Sequence, residues 1–452
     1  MYERTQATLL AVTWVVLAGC GDSESRSDWT TLRDTLPSGA VRVTNIPVPN
    51  ASPTWTLVEE LRVGSLEGTG ADAFAYLKGL VALEGGGFVV LDSQAQELRV
   101  FGADGTHVAT HGGRGQGPGE FVDANGLMLG PNGRLWVPDA RNGRMSVFDP
   151  EDGFIESFPL AGGSYSWVWD GAIVDGSRIY RPWSSGNRYH IRVYDLTMTL
   201  VDSLPLPSDD PEDEEFDPES QSGAFYLELN GGYSMYGIPF FASTVSFIDS
   251  RGAVWSTRAG DPAYRMTQRE PGGETTFVVE TRRPAVPVPE VERDSVIDEL
   301  RQILSDAGAS GEWDLTRVPT VKPAVEAIFE SVERNLWVRT PSADGGVLFD
   351  VYARDGNYLG TATSGLGLNF SDQVDPVVRG DFVWLVVTDE FDVPYVVRAR
   401  IATAERKSGM RGWMAPECEG NARPTTIGER GFRGIEGGAA ATPRQPLCTH
   451  KG

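Results

Sequence analysis

Apolar positions along most of this chain follow strand patterning, and stretches with helical period are scarce. Phe88-Val89-Val90-Leu91-Asp92 and Leu98-Arg99-Val100-Phe101, bounded by Gly86-Gly87 and Asp104-Gly105, predict two strands joined by tight turns. The design recurs 47 residues later: Gly79, Leu80, Gly86, Val90, Asp92, Val100 and Phe101 map onto Gly126, Leu127, Gly133, Val137, Asp139, Val147 and Phe148. A degenerate third copy holds Ile179-Tyr180 and Ile191-Arg192-Val193-Tyr194. A fourth runs from Phe247 through Trp255 to Met266, a fifth from Leu336-Trp337-Val338 to Tyr352, and the last from Phe382 to Arg400.

Each unit has one logic. An Asn-Gly or Asp-Gly-like turn supplies positive φ, and a run such as Leu135-Trp136-Val137 then forms a strand with one face buried. Repeats of roughly 40 to 50 residues with several strands apiece are the signature of propeller blades. A β-sandwich needs no such self-similarity. The fold expected is all-β, a six-bladed β-propeller over residues 41–403, with seven blades as the alternative. The strands between Val41 and Val63 are expected to complete the ring by pairing with the last blade, which removes exposed sheet edges.

Three segments depart from the pattern. The acidic insertion at 208–220 could hold Ca²⁺ through its clustered carboxylates. It lacks the glycine-punctuated spacing of a dedicated calcium loop and reads as a solvated, self-repelling insertion, so no cofactor is implied. The insertion at 284–309 opens on a proline stretch. Its Val296, Ile297, Leu300, Ile303 and Leu304 then recur at helical spacing, predicting one amphipathic helix. That helix packs on the propeller's own surface, or else caps the channel or recruits a partner. From residue 404 alternation stops and basic residues outnumber acids, which reads as a disordered tail.

A formal net charge of −24 excludes nucleic acid, whose phosphates would be repelled, and equally disfavours adsorption to anionic lipid heads. At the other end of the chain, the apolar run of residues 9–17 is too short to span a bilayer, which takes about 20 apolar residues. It closes on Leu17-Ala18-Gly19-Cys20, which resembles a bacterial lipoprotein signal, although Glu3 cancels Arg4 ahead of it. That resemblance implies cleavage after residue 19 and lipidation of Cys20. Residues 20–40 then form a flexible tether, the acyl chains provide the membrane link, and the body lies on the extracytoplasmic side of the envelope. Cys418 and Cys448 are left as an even pair in an oxidising space, either a disulfide or two free thiols in the tail.

Gly112-Gly113-Arg114-Gly115-Gln116-Gly117-Pro118-Gly119-Glu120-Phe121, followed by Asn125-Gly126-Leu127 and Leu135-Trp136-Val137-Pro138-Asp139, resembles a blade of the NHL-repeat type. The region to residue 400 is similar to six-bladed propeller lipoproteins of that kind. The glycine loop matches no phosphate-binding pattern and leads into a strand, so it reads as an inter-blade connection. Asp92 and Asp139 close equivalent strands and are expected to cap turns by accepting backbone N–H groups.

No catalytic constellation stands out. Only four histidines occur; His107 and His111 read as a surface pair on one strand and His190 as an edge residue. Trp167, Trp169 and Trp183 fall in the most divergent blade, and Arg114 and Arg141 in adjacent loops. These aromatics and guanidinium forks suit a sugar or carboxylate site, although the tryptophans could equally fill blade interfaces. The function expected is a lipid-anchored binding or interaction scaffold for a glycan, a peptide or another envelope protein. The alternative, implied by the NHL resemblance, is a metal-dependent lyase or hydrolase.

Overall fold

In the computed structural model the residues described are 29–47, 54–66, 68–160, 168–185, 188–206, 223–229, 232–306, 313–342, 346–364, 369–371 and 373–403. Strands β1 (Trp29–Thr35), β2 (Val41–Pro47) and β3 (Trp55–Val63) precede the repeats. Blade I comprises β4 (Leu77–Ala82), β5 (Phe88–Asp92), β6 (Glu97–Phe101) and β7 (His107–Gly112). Blade II comprises β8 (Met128–Leu129), β9 (Leu135–Asp139), β10 (Arg144–Asp149) and β11 (Gly153–Pro159). Blade III comprises β12 (Ala172–Val174), β13 (Arg178–Ser185), β14 (Arg188–Asp195) and β15 (Leu200–Pro205). A hairpin of β16 (Ala224–Leu229) and β17 (Gly232–Gly237) follows.

Blade IV comprises β18 (Ser246–Ile248), β19 (Val254–Ser256), β20 (Arg265–Arg269) and β21 (Thr275–Thr281), and helix α1 (Glu290–Asp306) comes next. Blade V comprises β22 (Ala327–Glu330), β23 (Leu336–Thr340), β24 (Val347–Tyr352) and β25 (Tyr358–Ser364). Blade VI carries β26 (Asn369–Phe370), β27 (Val377–Arg379), β28 (Phe382–Thr388) and β29 (Pro394–Thr403). Six antiparallel meanders therefore stand around one axis, with β4, β8, β12, β18, β22 and β27 innermost.

Blade stacking explains why the repeat's strands are more apolar than simple alternation requires. The pattern predicts one buried face, but every residue of β5 and of β9 is buried. Phe88 and Val90 pack with Trp384, Val386 and Val396 of blade VI, whereas Val89 and Leu91 pack with Leu135 and Val137 of blade II. Both faces of a blade are interfaces. Each fully buried side chain of this kind stabilises the ring by about 1.5–3 kcal/mol. Close approach between blades also fixes the repeated glycines: a Cβ on Gly79 would lie 2.4 Å from Leu127 Cβ, and one on Gly126 would lie 2.4 Å from Trp169 Cβ.

Ring closure follows only part of the expected pairing. Strand β3 runs antiparallel to β29, from Trp55 opposite Thr403 to Val63 opposite Val396, and so completes blade VI with N-terminal sequence. It also pairs in parallel with β25, stitching blade V to blade VI. Strand β2, however, pairs in parallel with β21 and lies on blade IV. Its Asn45, wholly buried, decides the location: the side-chain amide donates to Gly356 O at 2.9 Å and accepts from Tyr358 N at 3.2 Å.

Strand β1, paired with β2, lies inside the segment expected to be tether, so Trp29–Thr35 is regular structure ahead of the expected start near Val41. Trp29 packs edge-on against Tyr358 with ring centroids 4.6 Å apart, while most of β1 faces solvent, which is why its composition looks like linker. Beneath Trp29, Arg283 donates to Asp350 Oδ1 at 2.6 Å, and Tyr358 Oη donates to the same oxygen at 2.8 Å. Burial pushes the Asp350 carboxyl up, opposed by Arg283, while the burial of Arg283 is outweighed by Asp350 together with Tyr358, Tyr264 and Tyr352, which hold that guanidinium charged.

The predicted helix forms, but it rests on the other insertion. Ile297 and Leu300 of α1 pack with Phe225 and Ile238 from the β16–β17 insertion and with Val318. Trp313 stacks on Phe225 at 5.0 Å and donates to Tyr226 O at 2.9 Å. The hairpin follows the acidic stretch and escaped sequence reading because it is no copy of the repeat, although Asn230-Gly231-Gly232 between its two runs is a hairpin signal.

Candidate functional site

The repeated aspartates are structural. Asp92 accepts the N–H groups of Ala75 (2.9 Å), Gln94 (3.1 Å) and Ala95 (3.1 Å). Asp139 accepts those of Val122 (3.1 Å), Asp123 (2.9 Å) and Asn142 (3.3 Å). Each therefore ties the turn after its own strand to the loop that enters an innermost strand. The glycine-rich segment is the expected inter-blade connection between β7 and β8, anchored by the fully buried Phe121.

Those entering loops bring charge to one end of the ring. Lys78 is the second residue of β4, and Asp123, Asp170, Glu326 and Asp375 all lie just ahead of the innermost strands β8, β12, β22 and β27. Arg339 reaches Glu326 at 3.2 Å, and Arg181 lies 3.9 Å from Asp170. Burial pulls the Lys78 ammonium down against the attraction of Asp123. Burial likewise pushes Asp375 up, opposed by Arg339, and Asp170 up, opposed by Arg181. The Asp170 side chain is nonetheless 58 % exposed. A carboxylate that is wet yet ringed by protein is one in a concave mouth, and the exposure decides that it remains reachable.

At blade III this mouth becomes a crevice facing blade II. Arg192 of β14 lies over the ring of Trp183 at 3.6 Å, and Arg181 of β13 lies over Trp169 at 4.3 Å and Trp183 at 5.8 Å. Trp169 is buried with Trp136, Ile179 and Tyr194 in the interface between blades II and III. It is thus both interface filler and platform for a cation, as is Trp183, which is half-buried.

Of the sequence candidates, Trp169 and Trp183 come together, and Trp167 lies outside the described residues. Arg141 is exposed in the turn after β9, which is joined to the connection leading to Trp169 by the Leu160 N–H donating to Gly143 O at 2.8 Å. Arg114 is not part of the crevice: its Nη2 donates to Gln94 O, placing it at the junction of blades I and II. The guanidinium groups that do meet the tryptophans, Arg181 and Arg192, were missed. Cys20, Cys418, Cys448, His450 and the acidic stretch at 208–219 lie outside the described residues.

His107 and His111 share the outermost strand β7, His111 with its Nε2 at 2.9 Å from Pro150 O, far from the innermost strands. His190 sits in β14 opposite Trp183, inside the blade and not at its edge as expected. Among the described residues, no group of three or more His, Cys, Asp or Glu side chains is placed to hold a metal ion.

No protein-family model and no curated protein sequence matches this chain. Similar solved structures include a candidate exported protein from Bacteroides fragilis, 12 % identical, covering 80 % of this chain and 100 % of that one, with a TM-score of 0.41. Virginiamycin B lyase from Staphylococcus aureus is 10 % identical over 76 % of this chain and 99 % of its own, with a TM-score of 0.40. A member of the DUF4221 family from Bacteroides vulgatus is 10 % identical over 78 % of this chain and 100 % of its own, also at 0.40. Likeness at this level carries no argument about ligand or activity.

Proposed function

We propose that this chain is a lipid-anchored, extracytoplasmic propeller that acts as a binding module of a bacterial envelope, with its ligand seated in the charged mouth. The observation that carries the reading is the departure from blade symmetry at that mouth. A fold repeating one apolar design around a ring has no structural need for Lys78, Asp170 and Asp375 at one end of its innermost strands, or for Arg181 and Arg339 of the adjoining strands β13 and β23 beside Asp170 and Glu326. Groups that burial disfavours and that still reach water are groups kept for a partner.

Anchoring rests on Leu17-Ala18-Gly19-Cys20. Eight residues, 21–28, separate that cysteine from β1, so even fully extended they reach only about 30 Å. The ring would stay close to the bilayer, held by acyl chains and not by charge, since net −24 repels anionic lipid heads. Among the described residues no helix is long and apolar enough to cross a membrane.

The test is metabolic labelling with radioactive palmitate in a bacterial host, followed by fractionation, for the full chain and for Cys20→Ala. The reading expects label and membrane association that both disappear in the variant. Labelling that survives the substitution, or an unlabelled soluble protein with Cys20 intact, contradicts it.

A further inference from the structure

The face of blade III that looks onto blade II holds buried polar groups with nothing to bond. Trp169 Nε1, Arg181 Nε and Nη1, His190 Nδ1 and Tyr194 Oη are all buried without a hydrogen-bond partner among the described residues. Cross-strand register puts three of these residues, Arg181, His190 and Tyr194, on one surface: Arg181 stands opposite Arg192, Trp183 opposite His190, and Ile179 opposite Tyr194. Buried polar groups in native proteins are satisfied as a rule, and a cluster that is not calls for an absent water, ion or ligand.

Charge sharpens the identity of what is missing. Two arginines directly opposed across strands repel each other. Arg181 has one carboxylate near it, Asp170, at a distance of 3.9 Å that is too long for a hydrogen bond. Arg192 makes no ion pair among the described residues. Among the described residues, this pair of guanidinium groups is left short of a negative charge. Stacking on Trp169 and Trp183 occupies the faces of the two cations, fixes their planes and leaves their N–H edges for an acceptor.

We propose that the crevice bounded by Trp169, Asp170, Arg181, Trp183 and Arg192 binds the oxyanion group of a small acidic ligand, a carboxylate or a sulfate, between the two guanidinium groups. This deepens the binding-module reading by naming the ligand's chemistry. Asp170, exposed and only loosely paired, competes with the incoming anion for Arg181.

Isothermal titration of the full chain at constant ionic strength tests this with galacturonate, inorganic sulfate and, as a neutral control, galactose. Galacturonate or sulfate binds, galactose does not, and the stronger of the two anions identifies the group recognised. Arg192→Gln weakens the anion by about tenfold or more, the loss of a charge-assisted hydrogen bond. Asp170→Asn tightens it, a gain that a misfolded variant cannot produce. Absence of binding by both anions, equal binding of galactose, or affinities unchanged in both variants overturns the proposal. Because palmitate labelling at Cys20 is read separately, failure here and failure of the anchored-module reading are distinguishable.

Discussion

Replacing Asp139 by alanine tests whether the repeated aspartates hold the blades together. The wholly buried carboxylate accepts the N–H groups of Val122, Asp123 and Asn142 at 3.1, 2.9 and 3.3 Å, and the Asn142 side-chain amide at 2.6 Å. A hydrogen bond to a charged acceptor contributes about 1.5–3 kcal/mol net, and each backbone N–H stranded in the interior costs about 1–3 kcal/mol. These contributions share one group and do not add fully, so Asp139→Ala should destabilise the protein by about 3–5 kcal/mol. Asp139→Asn keeps one oxygen acceptor and should cost roughly half as much. Urea unfolding followed by tryptophan fluorescence measures the loss as a lower midpoint at unchanged slope. Asp104→Ala is the control, because Asp104 accepts from Thr106 in an exposed turn. If Asp139→Ala unfolds at the same urea concentration as that control, the capping argument is refuted.

Gly79→Ala and Gly126→Ala each place a Cβ 2.4 Å from a neighbouring blade and should cost about 1–3 kcal/mol by overpacking. Gly133→Ala meets no atom within 4 Å and carries only the strain of φ +72°, about 1 kcal/mol, so thermal melts should rank it the mildest of the three. Sulfate affinity should rise as pH falls. Burial holds the Asp170 carboxyl above the usual range, so it takes up a proton before ordinary carboxylates do and its competing charge is lost. Asp170→Asn should bind more tightly than the parent and gain less as pH falls, and parallel profiles for the two proteins would count against the role given to Asp170.

What could be read in advance was what repetition writes into the chain. Strands β5 and β9 were visible because Val90, Asp92 and Gly86 return at a fixed offset, and their six-fold recurrence settles the ring. Strand β1 was invisible, since Trp-Thr-Thr-Leu-Arg-Asp-Thr buries little and reads as linker. The partner of β2 was equally hidden, because a parallel pairing with β21 depends on Asn45 meeting Gly356 and Tyr358 across more than 300 residues. At the candidate site the tryptophans were legible as departures from the repeat, but the arginines were not, because a charged residue inside a strand such as β13 or β14 reads as its solvent-facing position. A signal was present: the Gly-Asn dipeptide between the two alternating runs predicts a hairpin, and counting outward from it puts Arg181 opposite Arg192 and Trp183 opposite His190, the register of β13 and β14. The stacking of those cations on Trp169 depends on how blades II and III meet, which no local pattern encodes.

Hydrogen exchange of the full chain with and without saturating galacturonate is the most direct test of where this protein does its work. Added protection should be confined to the segments around Trp169–Asp170, Arg181–Trp183 and Arg192, where blade III faces blade II. Protection appearing elsewhere on the ring, or none at a concentration that saturates binding, would contradict it.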